Sequence, residues 1–342
     1  MSRVRPVEIV GGGLAGLSLG LALCKMGLPV SIFEAGDYPR HRVCGEFIAG
    51  LDARTRATLA LEGPLEGALL HRTVSWHEND RAAGHSVLPE AAFGLSRHAL
   101  DVRLAEAFVT AGGKLFTHAR IATETAGPGR VIAAGRRRQR SRWIGLKAHV
   151  EGFSTSADLE LYLGRDAYVG ICSVGEDRVN FCGLFRSHPG LQIDPRATPL
   201  EKHLRAAGLN RLAERLAESS IDASSVCAVA ALSFARPDPQ DPRLLIGDAF
   251  AMIPPFTGNG MAMAFQSAAA ALGPIAAWSR GEREWVETVR IVRRRLRRRF
   301  GVRLVVADLL HRFVHAPPPQ RWFLAANRAG LVPFRPFYRI LH

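Results

Sequence analysis

Residues 7–34 read VEIVGGGLAGLSLGLALCKMGLPVSIFE, and this stretch decides the fold. An apolar run from Val7 to Val10 enters Gly11-Gly12-Gly13-Leu14-Ala15-Gly16. A helical run follows, then a strand-like run from Pro29 to Phe33 that ends in Glu34. The unit is strand, turn, helix and strand, with a G-x-G-x-x-G turn and an acid 18 residues beyond its last glycine. Each part has a mechanical job in holding a dinucleotide. Gly11 permits the tight turn, Gly13 lets a pyrophosphate approach the backbone, and Gly16 lets helix and strand pack closely. The helix start at Leu14 and Ala15 offers unpaired N–H groups and partial positive charge to phosphates. Glu34, with Ala35 beside it, is placed to accept hydrogen bonds from an adenosine ribose. A phosphate there would be repelled, so the spacing suits FAD or NAD over NADP.

The rest of the chain gives this unit room. A length of 342 residues suits about two domains, and 47% hydrophobic with 22% charged residues is ordinary for a globular enzyme. The net charge of +14 is not ordinary, and it points to anionic partners. Five scattered cysteines without a C-x-x-C pair predict reduced thiols, not a disulfide framework or a zinc site. The first residues enter a strand at once, with no secretion-signal pattern. No stretch of about 18 uninterrupted apolar residues stands out as a bilayer span. The expected setting is cytoplasmic, with a peripheral membrane contact open.

Residues 73–88 predict a pair of short strands. Ser96 opens a helix with Leu100, Leu104, Ala107 and Phe108 on one face, which Gly112-Gly113 ends. DLELYL, AYVGICSV and RVNFCGLF, within 158–185, predict three antiparallel strands. The stretch 243–272 returns to strand, loop and helix. The expected fold is therefore α/β. A Rossmann-like domain is built from 1–70, 94–142 and 235–285. An antiparallel-sheet substrate domain from 71–93 and 143–234 is inserted in it, and a basic helical region covers 286–342.

Two further motifs turn this pattern into a resemblance. Arg42-Val43-Cys44-Gly45-Glu46 follows the first unit, and Gly247-Asp248-Ala249 precedes Pro254-Pro255 and Gly258-Asn259-Gly260-Met261. With the amino-terminal glycines they make the chain similar to the FAD-dependent oxidoreductases related to para-hydroxybenzoate hydroxylase, above all the geranylgeranyl-reductase-like branch, over most of its length. The resemblance implies a GR2-type FAD-binding fold. It implies that Arg42, Cys44 and Gly45 lie beside the flavin ring, with Cys44 as a catalytic candidate. It also implies that Arg97 reaches the flavin phosphates, that Asp248 binds the ribityl chain, and that Pro255, Gly258, Asn259, Gly260 and Met261 face the isoalloxazine. A helix beginning near Gly258 would point N–H groups at the N1–C2=O edge, where reduced flavin carries negative charge.

The chain also departs from that pattern. Where aromatic hydroxylases carry Ala-Asp-Gly, linked to NAD(P)H use, this sequence reads Ala133-Ala134-Gly135-Arg136. With no second G-x-G-x-x-G, NAD(P)H is expected to act as a transient electron donor. The lipid-meeting aromatic-x-Trp-x-Phe-Pro segment of geranylgeranyl reductases is replaced by Tyr168-Val169-Gly170-Ile171-Cys172-Ser173, which argues for a different hydrophobic substrate, aromatic, polyketide or isoprenoid. Tyr162, Tyr168, Cys172 and Asn180 are the candidate substrate wall, with plain strand packing as the alternative. Trp76 stands alone in VSWHEND, without the W-x-W-x-I-P segment of flavin halogenases.

Arg290 to Arg299 holds seven arginines in ten residues, and Gly135-Arg136-Arg137-Arg138 with Arg140 and Arg142 adds another patch. A solvated helix face is one reading. An acidic carrier protein or an anionic membrane surface is the other. No nucleic-acid motif accompanies the charge. His311 and His315 lack a nearby third ligand, so no metal is expected. The readings carried forward are an FAD-dependent monooxygenase, an FAD-dependent C=C reductase, and a flavin-bearing electron-transfer or binding partner.

Overall fold

A computed structural model describes residues 4–78, 81–136, 141–175, 177–187, 197–232, 240–315 and 334–341, with isolated positions between the later segments. Arg137, Arg138, Arg140 and the proline run at 317–319 lie outside the described residues, as does the side chain of His315. In chain order the strands are β1 (Val7–Val10), β2 (Val30–Phe33), β3 (Phe47–Ile48), β4 (Leu69–Glu78), β5 (Arg81–Gly94), β6 (Lys114–Phe116) and β7 (Arg130–Ile132). They continue with β8 (Trp143–Glu151), β9 (Leu159–Gly164), β10 (Ala167–Gly175), β11 (Arg178–Arg186), β12 (Ser220–Val229) and β13 (Leu244–Leu245). The helices are α1 (Leu14–Lys25), α2 (Ala53–Leu59), α3 (Arg97–Thr110), α4 (Pro199–Ala206), α5 (Asn210–Ala217), α6 (Gly260–Ser279), α7 (Trp285–His315) and α8 (Phe334–Leu341).

Two sheets result. The smaller is parallel, in the order β13-β7-β1-β2-β6. Its strands are short, with apolar residues on the face that meets the helices, while Glu8, Ser31, Lys114 and Arg130 pair across the other face, which stays partly exposed. The larger runs β12-β8-β11-β10-β9-β4-β5-β3 and is antiparallel except where β4 meets β9. The chain leaves the parallel sheet twice to build the larger one: after β2 for β3 to β5, returning at β6 and β7, and after β7 for β8 to β12, returning at β13. The three strands predicted within 158–185 are β9, β10 and β11. The short pair expected at 73–88 is instead the long pair β4 and β5. Register irregularities at His71/Thr73 and Trp76/His77 interrupt the two-residue alternation and hide their length in the sequence.

Helix polarity follows position. Every residue of α1 from Leu14 to Cys24 is buried, since α3 and α6 flank it and the sheet lies beneath. By composition and length α6 could cross a bilayer, yet its apolar residues are spent on α1, α2 and α7. In α7 the buried residues include Trp285, Val289, Val292, Leu296, Phe300, Arg303, Ala307 and His311, at the three-to-four spacing of a helix with one buried face. On the larger sheet, α4 and α5 pack Leu204, Leu212 and Leu216 against Ala148, Val169, Ile171 and Phe181. The opposite face is shared by the loop that follows β2, by α8 through Phe334 and Tyr338, and by Leu232, Met252 and Phe256.

Candidate active site

The two glycine-rich turns, more than 200 residues apart, meet. Ala133 donates to the Val10 carbonyl at 2.7 Å and Ile246 to the Ile132 carbonyl at 3.0 Å, so the ends of β1, β7 and β13 lie side by side. A Cβ on Gly247 would stand 3.0 Å from that of Ala15. The Gly247 N–H donates to Ser267 Oγ in α6 at 2.8 Å. The starts of α1 and α6 thus share the carboxyl edge of the parallel sheet, where open α/β sheets bind ligands. Neither start carries a side-chain cap. Their first N–H groups are available to an anion.

The glycines of the first turn do distinct things. Gly11 has φ +107°, and a Cβ there would lie 2.4 Å from the Ala133 carbonyl oxygen. A Cβ on Gly16 would lie 2.0 Å from the Gly11 oxygen, so helix and strand touch through that position. Around Gly13 there is nothing within 4 Å of the same point: the backbone there faces open space. Leu14 and Ala15 are buried beneath it, and Ala35 is exposed.

Glu34 closes the adenosine end. Its carboxylate accepts from the N–H of Gly12 at 2.8 Å and of Gly36 at 3.0 Å, and from Arg40 at 3.3 Å. Tyr38 donates its hydroxyl to the Gly12 carbonyl. A carboxylate has about four acceptor positions, so one remains for a ribose hydroxyl. Asp101 gathers the two arginines: Arg42 Nε at 3.0 Å and Arg97 Nε at 2.7 Å. Arg42 Nη2 is buried without a hydrogen bond, 3.8 Å from Glu34.

At the other motif, Asp248 follows β13 on a single 3₁₀ turn, Gly247–Ala249. Protein surrounds it closely, yet its own surface is exposed, so it stands on the wall of an open cleft. Desolvation pushes its carboxyl up to about 6, against the pull of Arg97 and Arg136, and water in the cleft screens part of that burial. Pro255 opens a second 3₁₀ turn that Gly258 ends at φ +68°. The long helix then starts at Gly260, two residues later than expected, with Asn259 as N-cap. Met261 is buried, and both amide atoms of fully buried Asn259 lack a hydrogen-bond partner.

The substrate-wall expectation needs correcting. Alternation along β9 puts Tyr162 on the α4–α5 face, stacked on His77 and bonded to Glu160 at 2.9 Å, away from the loop after β2. Tyr168, Cys172 and Asn180 are on the facing side, but all are buried: Tyr168 beneath Phe256 and Leu232, Cys172 and Asn180 beneath that loop. Asn180 Nδ2 donates to the Cys44 carbonyl at 3.0 Å, and Cys172 Sγ to the Gly45 carbonyl at 3.2 Å. They clamp the Cys44–Glu46 loop. Cys44 is half-buried in the same loop: burial pushes its thiol up, while Arg97 and the Glu46 N–H, which its sulfur accepts at 3.4 Å, pull the other way without overcoming it.

Under the loop lies a charged cluster that the sequence reading missed. Glu46 is wholly buried with φ +54°. Its carboxylate accepts from His149 Nε2 at 2.6 Å and from the Arg97 N–H at 2.9 Å, and it faces Lys147 Nζ at 3.3 Å. Lys147 also meets His41 Nδ1 at 3.0 Å. Burial alone would raise the Glu46 carboxyl; His149 and Lys147 outweigh it and hold the group below its ordinary value. Burial and the charge of Lys147 push His41 down to about 4. Ligand atoms of His41, His149 and Asp222 lie within 4.8 Å of one another, but the Lys147 ammonium against His41 opposes a metal ion there. The signal was present: in IGLKAHV, Lys147 and His149 are two apart in an apolar strand and so share one face.

No protein-family model and no curated protein matches the sequence. Solved structures do. The flavin-dependent brominase Bmp2 superposes with a TM-score of 0.75 at 18% identity, covering 98% of this chain and 92% of that one. Klebsiella pneumoniae HpxO, solved with FAD and uric acid, gives 0.76 at 15%, over 98% and 96%. Pseudomonas aeruginosa PqsL, solved with 2-aminobenzoylacetate, gives 0.68 at 14%, over 99% of both chains. The chain has their fold. At these identities the likeness speaks for the architecture, and the residues above carry the chemistry.

Proposed function

We propose that this protein is an FAD-dependent monooxygenase acting on a hydrophobic small molecule of the aromatic class. One observation carries the reading: two uncapped helix starts from opposite ends of the chain converge on one cleft, with open space at Gly13. The residues fit the cofactor. Gly13 and the α1 N–H groups would hold the pyrophosphate, Glu34 the ribose, Asp248 the ribityl chain, and the α6 start with Asn259 the ring edge. The orphaned Arg42 Nη2 and Asn259 amide are the unsatisfied polar atoms such a guest would complete.

Bound FAD would supply the redox and oxygen-activating chemistry. The protein's part is positional. Asn180 and Cys172 fix the loop whose Gly45 edge is exposed to the cleft, and Asp101 fixes Arg42 and Arg97. The α6 N-terminus provides preorganised dipoles for developing negative charge. NAD(P)H is the assigned donor, docking transiently. The bound molecules of HpxO and PqsL, uric acid and 2-aminobenzoylacetate, support a planar substrate class. The lost lipid-meeting segment at Tyr168–Ser173 supports hydroxylation over C=C reduction. Five free cysteines suit a reducing, cytoplasmic compartment.

The test is a purified, yellow protein with an oxidised-flavin spectrum that NADH or NADPH bleaches under argon and air restores. Gly13→Val, whose Cβ would meet no protein atom within 4 Å, should keep the melting temperature and lose the flavin. A Gly13→Val protein with full flavin content overturns the site. Turnover that persists without oxygen would replace hydroxylation by reduction. Salt-sensitive association without turnover would favour an electron-transfer partner.

A further inference from the structure

A cavity of about 550 Å³ lies between α7 and β13, the edge strand of the parallel sheet. None of the residues assigned above to the cofactor lines it, although Phe250 and Ala251, directly after the Gly247–Ala249 turn, do. Its walls are apolar: Leu244, Leu245 and Phe250 on one side, Val289, Val292 and Leu304 on the other. Its size falls in the range of roughly 300–1,000 Å³ that small-molecule sites occupy. Three arginines, Arg243, Arg293 and Arg297, and two aspartates, Asp238 and Asp241, complete the lining. Asp241 is already engaged, by Arg243 Nε at 2.8 Å on its carboxylate and by Arg293 on its carbonyl.

Gly301 adds no side chain to the α7 wall. It lines the cavity from within a long helix, where glycine weakens the helix relative to alanine. Packing does not require it, because a Cβ there would meet nothing within 4 Å. Arg290, Arg294 and Arg297 are exposed and precede Gly301 at steps of four, three and four, so the four positions share one helix face. From Thr288 to Ala307 the helix carries eight arginines and no acid. Gly301 therefore sits at the end of a cationic strip.

We propose that this cavity binds an anionic amphiphile: one acyl chain enters beside Gly301, and its carboxylate or phosphate head rests on Arg297 and Arg294. The site is independent of the flavin reading. Its ligand comes either as a free fatty acid or as a membrane lipid, and the head-group chemistry is the same.

The full chain is titrated calorimetrically with dodecanoate below its micelle concentration. Saturable one-to-one binding is expected. Dodecyltrimethylammonium should bind at least about tenfold more weakly, a difference of the size a single well-placed charge produces. Gly301→Leu, which puts a side chain into the α7 wall, and Arg297→Glu, at the exposed surface, should each weaken dodecanoate by about tenfold with unchanged circular dichroism. Vesicles with and without phosphatidylglycerol form the membrane arm. Binding to anionic vesicles that Gly301→Leu abolishes assigns the ligand to the bilayer. Vesicle binding that Gly301→Leu leaves intact, without dodecanoate binding, reduces the strip to a surface contact and overturns the site. So does equal affinity for the cationic amphiphile, or an unchanged constant in Arg297→Glu.

Discussion

Lys147→Met isolates the charge in the buried cluster. Methionine keeps most of the apolar stem and removes the ammonium. Glu46 then loses the cation at 3.3 Å but keeps His149 at 2.6 Å and the Arg97 N–H at 2.9 Å, while His41 Nδ1 loses its neighbour at 3.0 Å. Deleting one partner of a buried ion pair costs about 3–5 kcal/mol, and the two retained hydrogen bonds place this case near 3 kcal/mol. With an unfolding entropy of about 2.1 cal/mol/K per residue, or ~0.7 kcal/mol/K for a chain of this length, the melting temperature should fall by about 4 °C. Glu46→Gln combined with Lys147→Met removes both charges and should recover at least ~1 kcal/mol of that loss. The pH dependence follows from the same group. The folded Glu46 carboxyl lies below its ordinary 4.5, so its stabilisation is present above that value and is lost as pH falls through the folded value. The double variant should lack that part of the acid limb. Scanning calorimetry and urea titration at pH 7.5 and pH 4 measure all of this. A single-variant loss under ~1 kcal/mol, or a double variant at the plain sum of its parts, would refute the coupling.

Gly16→Val forces a side chain against the Gly11 carbonyl, so both flavin content and melting temperature should drop, by about 1–3 kcal/mol or more in stability. Loss of flavin alone would place the clash elsewhere. Asp248→Asn should stabilise the flavin-free protein at pH 7.5 more than at pH 5. The native carboxyl is raised to about 6, so its charged form weakens the fold above that value and the penalty fades on acidification. Parallel melting curves for the two proteins across this range would contradict it. Iodoacetamide at pH 7.5 should leave Cys44 of the native protein largely unlabelled, because burial keeps the thiol protonated. Rapid mass-spectrometric labelling at Cys44 would support its reading as a nucleophile.

The first glycine turn, its helix and the acid at Glu34 were readable because each depends on local geometry: a positive φ, a close approach, a fixed spacing. The return of the chain at Gly247 was readable as a motif, while its contact with Ala15 is tertiary. Tyr162 was misassigned because strand alternation gives two faces without saying which one looks at the site. Only the register with β10 and the α4–α5 layer decides that. Glu46 was seen only as a letter in a motif. Its partners come from β8, about 100 residues on, and no local spacing links them. The cavity beside α7 was equally silent, since it is defined by what two distant elements fail to fill.

The complete burial of α1 has a consequence for synthesis. Leu14 begins a helix that is apolar on every side, and its partner α6 begins only at Gly260, 246 residues later. At about 5–20 residues per second, a ribosome needs roughly 12–50 seconds to deliver that partner. During that interval only α2, α3 and the first strands can cover the segment, and the face that α6 buries stays open to water. Slower expression at low temperature, or extra chaperone capacity, should therefore raise the soluble yield of this protein more than any change to its surface.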